Sequence, residues 1–147
     1  MKEHNLNKKI IVKNIKNGKE YRWLTHTNYL LLDRKDTIGT EVFLTTIKSN
    51  KFTHRHSHKY NEQLYYVIKG KGMIVYRYKN SSKDNKIYIK EKEVVFIPME
   101  TEHQIFSIGK SDLVYITIDI FPKGKPKDEK TWDDHAQKLT IETKLNN

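Results

Sequence analysis

The sequence predicts an all-β barrel or sandwich, and three observations support this fold class. Short runs rich in β-branched and aromatic residues recur along the chain, turn residues separate them, and no amphipathic helical pattern lies between them. Roughly eight to ten short strands, with turns about every eight to twelve residues, are typical of barrels and sandwiches. The 147 residues are enough for one domain with a core of its own.

Composition narrows the function classes. The chain has no cysteine, which excludes disulfides, thiolate metal sites and thiol nucleophiles. The net charge is +10, but the lysines are scattered and only four arginines occur, so we expect no nucleic-acid partner. No stretch has the length and apolar character of a signal peptide or a membrane span. We therefore expect a soluble, cytoplasmic protein without a membrane partner, whose positive field suits an anionic small molecule.

Residues 1–40 predict β structure that packs on the barrel. Residues 8–15 have the branched residues and lysines of a short edge strand. Residues 20–33 contain enough aromatic and branched residues for one or two further strands. His26 lies among them without a partnered motif, so we interpret it as an ordinary polar strand residue.

Residues 41–121 predict the barrel core, and residues 122–147 an extension of the same single domain. Beyond Pro122 the composition becomes charged and polar, which indicates a linker and a short C-terminal helix with Thr131 as its N-cap. The predicted core strands comprise residues 41–47, a histidine-rich stretch that begins at residue 51, and residues 64–68, 73–78, 87–89, 94–98, 103–108 and 113–121.

The histidine-rich stretch carries the candidate metal ligands. His54, His56 and His58 occupy every second position, so in an extended strand they point to one side. Either Glu62 or Gln63 follows across a short turn and adds an oxygen donor. Imidazole nitrogens with one oxygen suit one divalent transition metal, namely Fe, Mn, Co, Ni, Zn or Cu.

Two segments of the chain resemble the two motifs of the cupin superfamily. The histidine-rich stretch is similar to G-x5-H-x-H-x3-4-E-x6-G, with His56 and His58 as the H-x-H and Gly70 as the closing glycine. The stretch around Pro98 is similar to G-x5-P-x-G-x2-H-x3-N, with His103 at the required spacing. The resemblance implies a cupin-type barrel, that is, a double-stranded β-helix or jelly roll, with His103 as a further metal ligand.

The fourth ligand depends on the strand register. Counting forward from His58 admits either Glu62 or Gln63, whereas counting back from Gly70 gives Gln63. With that register Gln63 and Tyr65 point inward and Glu62 points out of the barrel, because a shift of one residue exchanges the faces. We therefore favour His56, His58, Gln63 and His103 as the metal ligands.

The second motif departs from the family pattern at its turns. Glu100 and Lys92 occupy glycine positions, and Ser107 occupies the asparagine position. A positive φ is costly for Glu100, so the motif does not determine the geometry of this turn.

A glutamine ligand changes the chemistry of the predicted site. Three neutral imidazoles and an amide leave a divalent metal with a formal charge of about +2, which favours an anionic ligand. The amide supplies no base, so we consider Tyr65, Glu62 and His54 as catalytic candidates. His54 is outside the usual motif spacing, which makes it a wall of the pocket or a strand-end residue.

The resemblance implies an enzyme of isomerase, lyase, decarboxylase or dioxygenase type that acts on a small anionic or hydroxylated organic molecule. A non-catalytic cupin that binds or senses a small ligand is the alternative. Because cupins often dimerise, we expect a homodimer. His4 and His135 lie outside both motifs and are interpreted as surface residues.

Overall fold

The computed structural model describes residues 9–145, and side chains to residue 140, as two antiparallel sheets followed by one α-helix. The strands are β1 (Lys19–Arg22), β2 (His26–Leu32), β3 (Thr40–Ile47), β4 (Glu62–Lys69), β5 (Lys71–Arg77), β6 (Asn85–Lys90), β7 (Val94–Ile97), β8 (Glu102–Ser107) and β9 (Leu113–Ile120), and the helix is α1 (Trp132–Leu145). The all-β prediction is confirmed.

The two sheets enclose the core. One sheet has six strands in the order β1-β2-β3-β9-β4-β7, and the other has three in the order β6-β5-β8. Inward-facing residues alternate with outward-facing ones, as the pleat requires. The buried core side chains are Ile47, Tyr65, Val67, Ile74, Ile89, Ile97, Ile105, Leu113 and Tyr115.

The outward-facing side of β3, β9, β4 and β7 is mostly apolar, although charged residues make up 31% of the chain. Tyr66 pairs with Val94, Leu64 pairs with Phe96, and the isoleucines of β9 lie beside them. Glu62 and Lys69, at the two ends of β4, are the charged side chains on this side of the four strands. We call this surface the outer face; Val94 and Phe96 on it are 66% and 54% exposed.

The N-terminal prediction is wrong in part. Residues 9–14 form no strand, and Ile15–Asn17 is a 3₁₀ turn capped by Asn14, whose side chain accepts from Lys16 N at 2.9 Å. Ile10 and Val12 are 96% and 88% exposed, so this segment buries no apolar side chain that would hold it on the sheet. Residue 8 and His4 lie outside the described residues. Residues 20–33 form the hairpin of β1 and β2 as predicted.

The C-terminal helix and its predicted cap are confirmed. Asp134 N donates to Thr131 Oγ1 at 3.2 Å, and Thr131 N donates to Asp134 Oδ2 at 3.1 Å. Trp132 packs on Phe43 with ring centroids 4.7 Å apart, which fixes α1 against the six-stranded sheet. No helix in the described part of the chain is both long and apolar enough to cross a membrane.

Three tight corners of the barrel need a left-handed backbone. Gly70 has φ +89°, and a Cβ there would lie 2.4 Å from the Asp112 carbonyl oxygen. Lys92 and Glu100 have φ of 69° and 61°, at the two positions where the family motif has glycine. Glu100 N donates to His58 O at 2.7 Å, so hydrogen bonding in the turn offsets the strain at Glu100.

Candidate metal centre

The backbone brings the two predicted motifs together at one bridge. His56 and His103 form an isolated antiparallel pair, with His56 N donating to His103 O at 3.0 Å and the reverse bond at 2.8 Å. Phe52 and Phe106 form a second bridge. From one bridge to the other, the histidine-rich stretch advances by four residues and β8 by only three. The extra residue is a β-bulge, which means that this stretch is extended but is not the regular strand predicted.

The bulge separates His54 from the other histidines. Alternation restarts after the extra residue, so Thr53 and His56 both point inward and His54 stays exposed at the rim of the cavity. The prediction that three successive histidines share one strand face therefore fails at His54, because it assumed an unbroken pleat.

Three histidines converge inside the barrel. One ligand atom from each of His56, His58 and His103 lies within 4.8 Å of the others. The ring centroids are 4.4 Å apart for His56 and His103, 4.8 Å for His56 and His58, and 5.4 Å for His58 and His103. His103 is completely buried, whereas His56 and His58 keep part of their surface open to the cavity.

The ring nitrogens are arranged as a metal would require. His56 Nδ1 lies 2.7 Å from His54 O and His103 Nδ1 lies 2.9 Å from Thr101 O, so each Nδ1 donates and each Nε2 keeps a free lone pair. His58 Nε2 is buried and has no hydrogen-bond partner among the described residues. A buried nitrogen without a partner is costly unless a ligand or an ion satisfies it, so these residues fit a divalent metal.

All three imidazoles are neutral at pH 7. Burial lowers the pKa of His58 well below 6.5, and the nearby His56 and His103 rings lower it further. Burial also lowers the pKa of His103 to about 3 and lowers that of His56. Neutral imidazole is the form that binds a metal, so the site needs no deprotonation before binding.

Gln63 and Tyr65 lie next to the three histidines. Both are buried and face inward from β4, as the register from Gly70 predicts. The Tyr65 hydroxyl donates to Gln63 Oε1 at 2.6 Å and lies 3.4 Å from His103 Nε2. Burial raises the pKa of Tyr65 well above 10, so its hydroxyl remains protonated.

A buried carboxyl network supports Gln63, and sequence reasoning missed it. Gln63 Nε2 donates to Asp119 Oδ1 at 2.7 Å, while Arg34 binds Glu41 through two bonds of 2.7 and 2.8 Å. Burial raises the pKa of Asp119 well above its usual range, and hydrogen bonding to Glu41 raises it further. Asp119 looks like any inward polar position in an alternating strand, so only its pairing with Gln63 reveals its role.

His56 and His58 border a cavity of about 490 Å³, and the completely buried His103 lies next to them. Its rim is aromatic: Trp23 stacks on His26 with centroids 4.9 Å apart and planes 13° apart, and Trp132 lies 5.2 Å from His135. Asn28 and Thr45 form part of the polar wall, where the Thr45 hydroxyl donates to Asn28 Oδ1 at 2.9 Å. A cavity of this size with apolar walls and a few polar groups is typical of small-molecule sites.

Two histidines to which the sequence assigned no role in the site, His26 and His135, line this cavity. His26 faces it from β2, where burial lowers its pKa to about 4. His135 is not a surface residue: it is partly buried, and its Nδ1 lies 2.9 Å from Glu129 Oε2. Both reach the cavity through elements that fold over the barrel, and neither motif contains a signal for that. Of the catalytic candidates, Tyr65 and His54 border the cavity, and Glu62 is not among its lining residues.

No family model matches the sequence, and no curated protein matches it significantly. Solved structures do match. The oxalate decarboxylase of Lactobacillus farciminis, in a formate complex, has a TM-score of 0.66 at 17% identity, over 75% of this chain and 33% of that chain. The capsular polysaccharide assembling protein CapF of Staphylococcus aureus has a TM-score of 0.65 at 22% identity, over 78% of this chain and 31% of that chain.

The cupin domain of Cnp3 from Schizosaccharomyces pombe has a TM-score of 0.62 at 12% identity, over 77% of this chain and 75% of that chain. The present chain thus spans about a third of the length of the first two matches and most of the third. Identities this low establish a shared architecture and nothing further. The two-sheet barrel, with its histidines converging from two motifs, has the cupin fold.

Proposed function

We propose that this chain is a metal-binding cupin and an enzyme that acts on a small anionic or hydroxylated organic molecule. The observation that carries the proposal is the convergence of His56, His58 and His103 within 4.8 Å beside a cavity of about 490 Å³. The unpartnered His58 Nε2 supports it, because a divalent ion would satisfy that nitrogen. In this proposal Gln63 supplies the oxygen ligand.

The donor set favours first-row metals and an anionic partner. Nitrogen and oxygen donors without sulfur suit Fe, Mn, Co, Ni, Zn or Cu. When bound, such a metal supplies a Lewis acid that polarises an oxygen of the bound molecule. Arg55 is the one basic side chain other than histidine among the described residues that line the cavity, and Asp84 and Glu102 already engage its guanidinium. The charge that attracts an anion would therefore come from the metal.

We assign proton transfer to two side chains that border the cavity. Tyr65 is protonated and buried beside Gln63 and His103, and its single O–H, which donates to Gln63 Oε1 in the metal-free barrel, is the donor that it would turn toward a bound oxygen. His54 lies at the exposed rim and is the accepting group in this assignment. Glu62 points away from the cavity, which argues against its role as a base. Isomerisation and elimination need only these groups and a polarised oxygen; dioxygenase chemistry additionally needs a redox-active metal.

Metal analysis of untagged protein tests the proposal. We expect close to one divalent ion per chain, retained on gel filtration and regained after chelation. Keto acids, sugar acids and catechols are then offered with and without metal, with His58→Ala as the inactive control. Fewer than about 0.2 ions per chain, without uptake on reconstitution, would contradict the metal site. Metal and ligand binding without turnover would favour the non-catalytic, ligand-sensing alternative.

We also propose that two copies associate through the outer face. A net charge of +10 disfavours association of two copies, and the outer face, whose charged side chains are Glu62 and Lys69 at the ends of β4, is the surface on which apolar burial can offset that repulsion. Phe96→Lys should therefore yield monomers in sedimentation velocity, whereas Tyr88→Lys on β6, where Tyr88 is 67% exposed, should leave the assembly unchanged. A wild-type chain that sediments as a monomer at all concentrations would contradict this proposal.

A further inference from the structure

The side-chain amide of Gln63 is held at both ends inside the barrel. Its Nε2 donates to Asp119 Oδ1 at 2.7 Å, and its Oε1 accepts from the Tyr65 hydroxyl at 2.6 Å. Gln63 and Asp119 are 4% and 3% exposed and lie directly opposite each other on β4 and β9. Turning the amide over would set its oxygen against the Asp119 carboxyl oxygen, so a single orientation is retained.

Asp119 is itself fixed as an acceptor toward Gln63. Asn61 Nδ2 donates to the same Asp119 oxygen at 3.0 Å. On the other side lies the completely buried Glu41, whose two oxygens are both bonded to Arg34. The Arg34 guanidinium already engages the carboxylates of Glu41 and Glu129, so a further carboxyl at position 63, beside Asp119, would have no counter-charge of its own.

We propose that Asp119 is a positioning residue that selects glutamine over glutamate at position 63 and turns the Gln63 oxygen toward the histidines. Its role in metal binding rests on the proposed function, whereas the pairing itself is a property of the metal-free barrel. A glutamate at this position would donate nothing to Asp119, although the family motif has glutamate there. Asp119 explains why this chain departs from that motif.

The test moves a carboxyl group between the two positions. Gln63→Glu adds a carboxyl beside Asp119. We expect the melting temperature of the metal-free protein to fall by about 5 °C or more. We also expect Mn²⁺, Co²⁺ and Zn²⁺ to bind at least about tenfold more weakly, although a carboxylate is intrinsically the stronger ligand.

In Gln63→Glu/Asp119→Asn the carboxyl has been moved and not added, and the new amide can donate to it. The double variant should recover most of both losses.

Asp119→Asn alone is the matched control. Its side-chain oxygen still accepts from Gln63 and its amide can donate to Glu41, so metal affinity should stay within about threefold of wild type. Asp119→Val removes the acceptor and should weaken binding about 10- to 100-fold. The Gln63→Glu comparison stands even if the valine variant fails to fold.

The proposal is overturned if Gln63→Glu keeps the wild-type melting temperature, or if the double variant is no more stable than Gln63→Glu. Both measurements use metal-free protein. A wild-type chain that binds none of the three ions would remove the proposed metal site and leave these stability results to decide the pairing.

Discussion

His56 and His103 exchange both of their backbone hydrogen bonds across an isolated antiparallel bridge, and their ring centroids lie 4.4 Å apart. Opposite residues of an antiparallel pair point to the same side, so the bridge alone directs both rings into the barrel. The main chain therefore holds the two halves of the site together, and a ligand side chain can be removed while this frame remains.

The first prediction follows from that frame. His103→Ala should reduce bound divalent metal to background, because one of the three converging nitrogens is lost. Glu62→Ala should leave metal content unchanged, since Glu62 belongs to the outer face. Elemental analysis and calorimetric titration measure both. Equal loss of metal in the two variants would contradict Gln63 as the ligand.

Gly70→Ala should destabilise the protein by about 2 kcal/mol or more, because the position combines a positive φ with a crowded Cβ site. The added Cβ would lie 2.4 Å from Asp112 O. Gly109→Ala is the control: its nearest neighbour would be Lys71 Cβ at 3.8 Å, so we expect a change within about 0.5 kcal/mol. Denaturant unfolding gives both values, and similar effects at the two glycines would refute the argument.

Lys92→Gly should stabilise the protein slightly. A lysine at φ 69° carries left-handed strain of about 1–2 kcal/mol, which glycine avoids at a cost of about 0.5–1 kcal/mol in chain entropy. The expected net gain is about 0.5 kcal/mol. Lys90→Gly, at the extended last residue of β6, should instead lose stability. A clear loss at Lys92 would mean that its side chain makes a stabilising contact that offsets the strain.

His26 should make the metal-free protein less stable in acid. Its pKa is about 4 in the folded chain, against 6.5 when solvated, so between these values the unfolded chain binds a proton that the folded chain does not. The stability contributed by neutral His26 is thus complete above pH 6.5 and falls as the pH drops toward 4, by up to about 3 kcal/mol.

His26→Asn removes this dependence. The stability difference between the variant and the wild type should shift in favour of the variant from pH 7 to pH 4.5. The other buried histidines and Asp119 titrate in both proteins and cancel in the comparison. Parallel stability curves would show that the His26 pKa is not lowered.

Much of the barrel and of the histidine site could be predicted from the sequence, because both depend on local patterns. Strand alternation and turn residues indicate the elements, and the spacing from Gly70 places Gln63 on the inward face. The predicted strand at residues 8–15 was wrong because β propensity does not show whether a sheet edge is available for the segment to pair with. The prediction that His54, His56 and His58 share one strand face was wrong because a β-bulge precedes His56. The spacing of residues in the sequence does not show where a strand contains such an extra residue.

The outer parts of the site could not be predicted, because they depend on which distant strands become neighbours. His26 and His135 come from elements on opposite ends of the chain, and Asp119 reaches Gln63 through the position of β9. Alternation shows that Asp119 points inward, but not which residue it meets there. The aromatic rim likewise depends on where α1 packs.

Strand β9 lies between β3 and β4 and is hydrogen-bonded to both. Those two strands come earlier in the chain yet are joined in the sheet only through β9. Such long-range pairing costs loop entropy before any contact repays it, so we expect slow and strongly cooperative folding. During synthesis, the edges of β3 and β4 that pair with β9 therefore have no hydrogen-bond partner until residue 120 has emerged from the ribosome. Metal uptake by the nascent chain would then mark the moment at which the barrel closes.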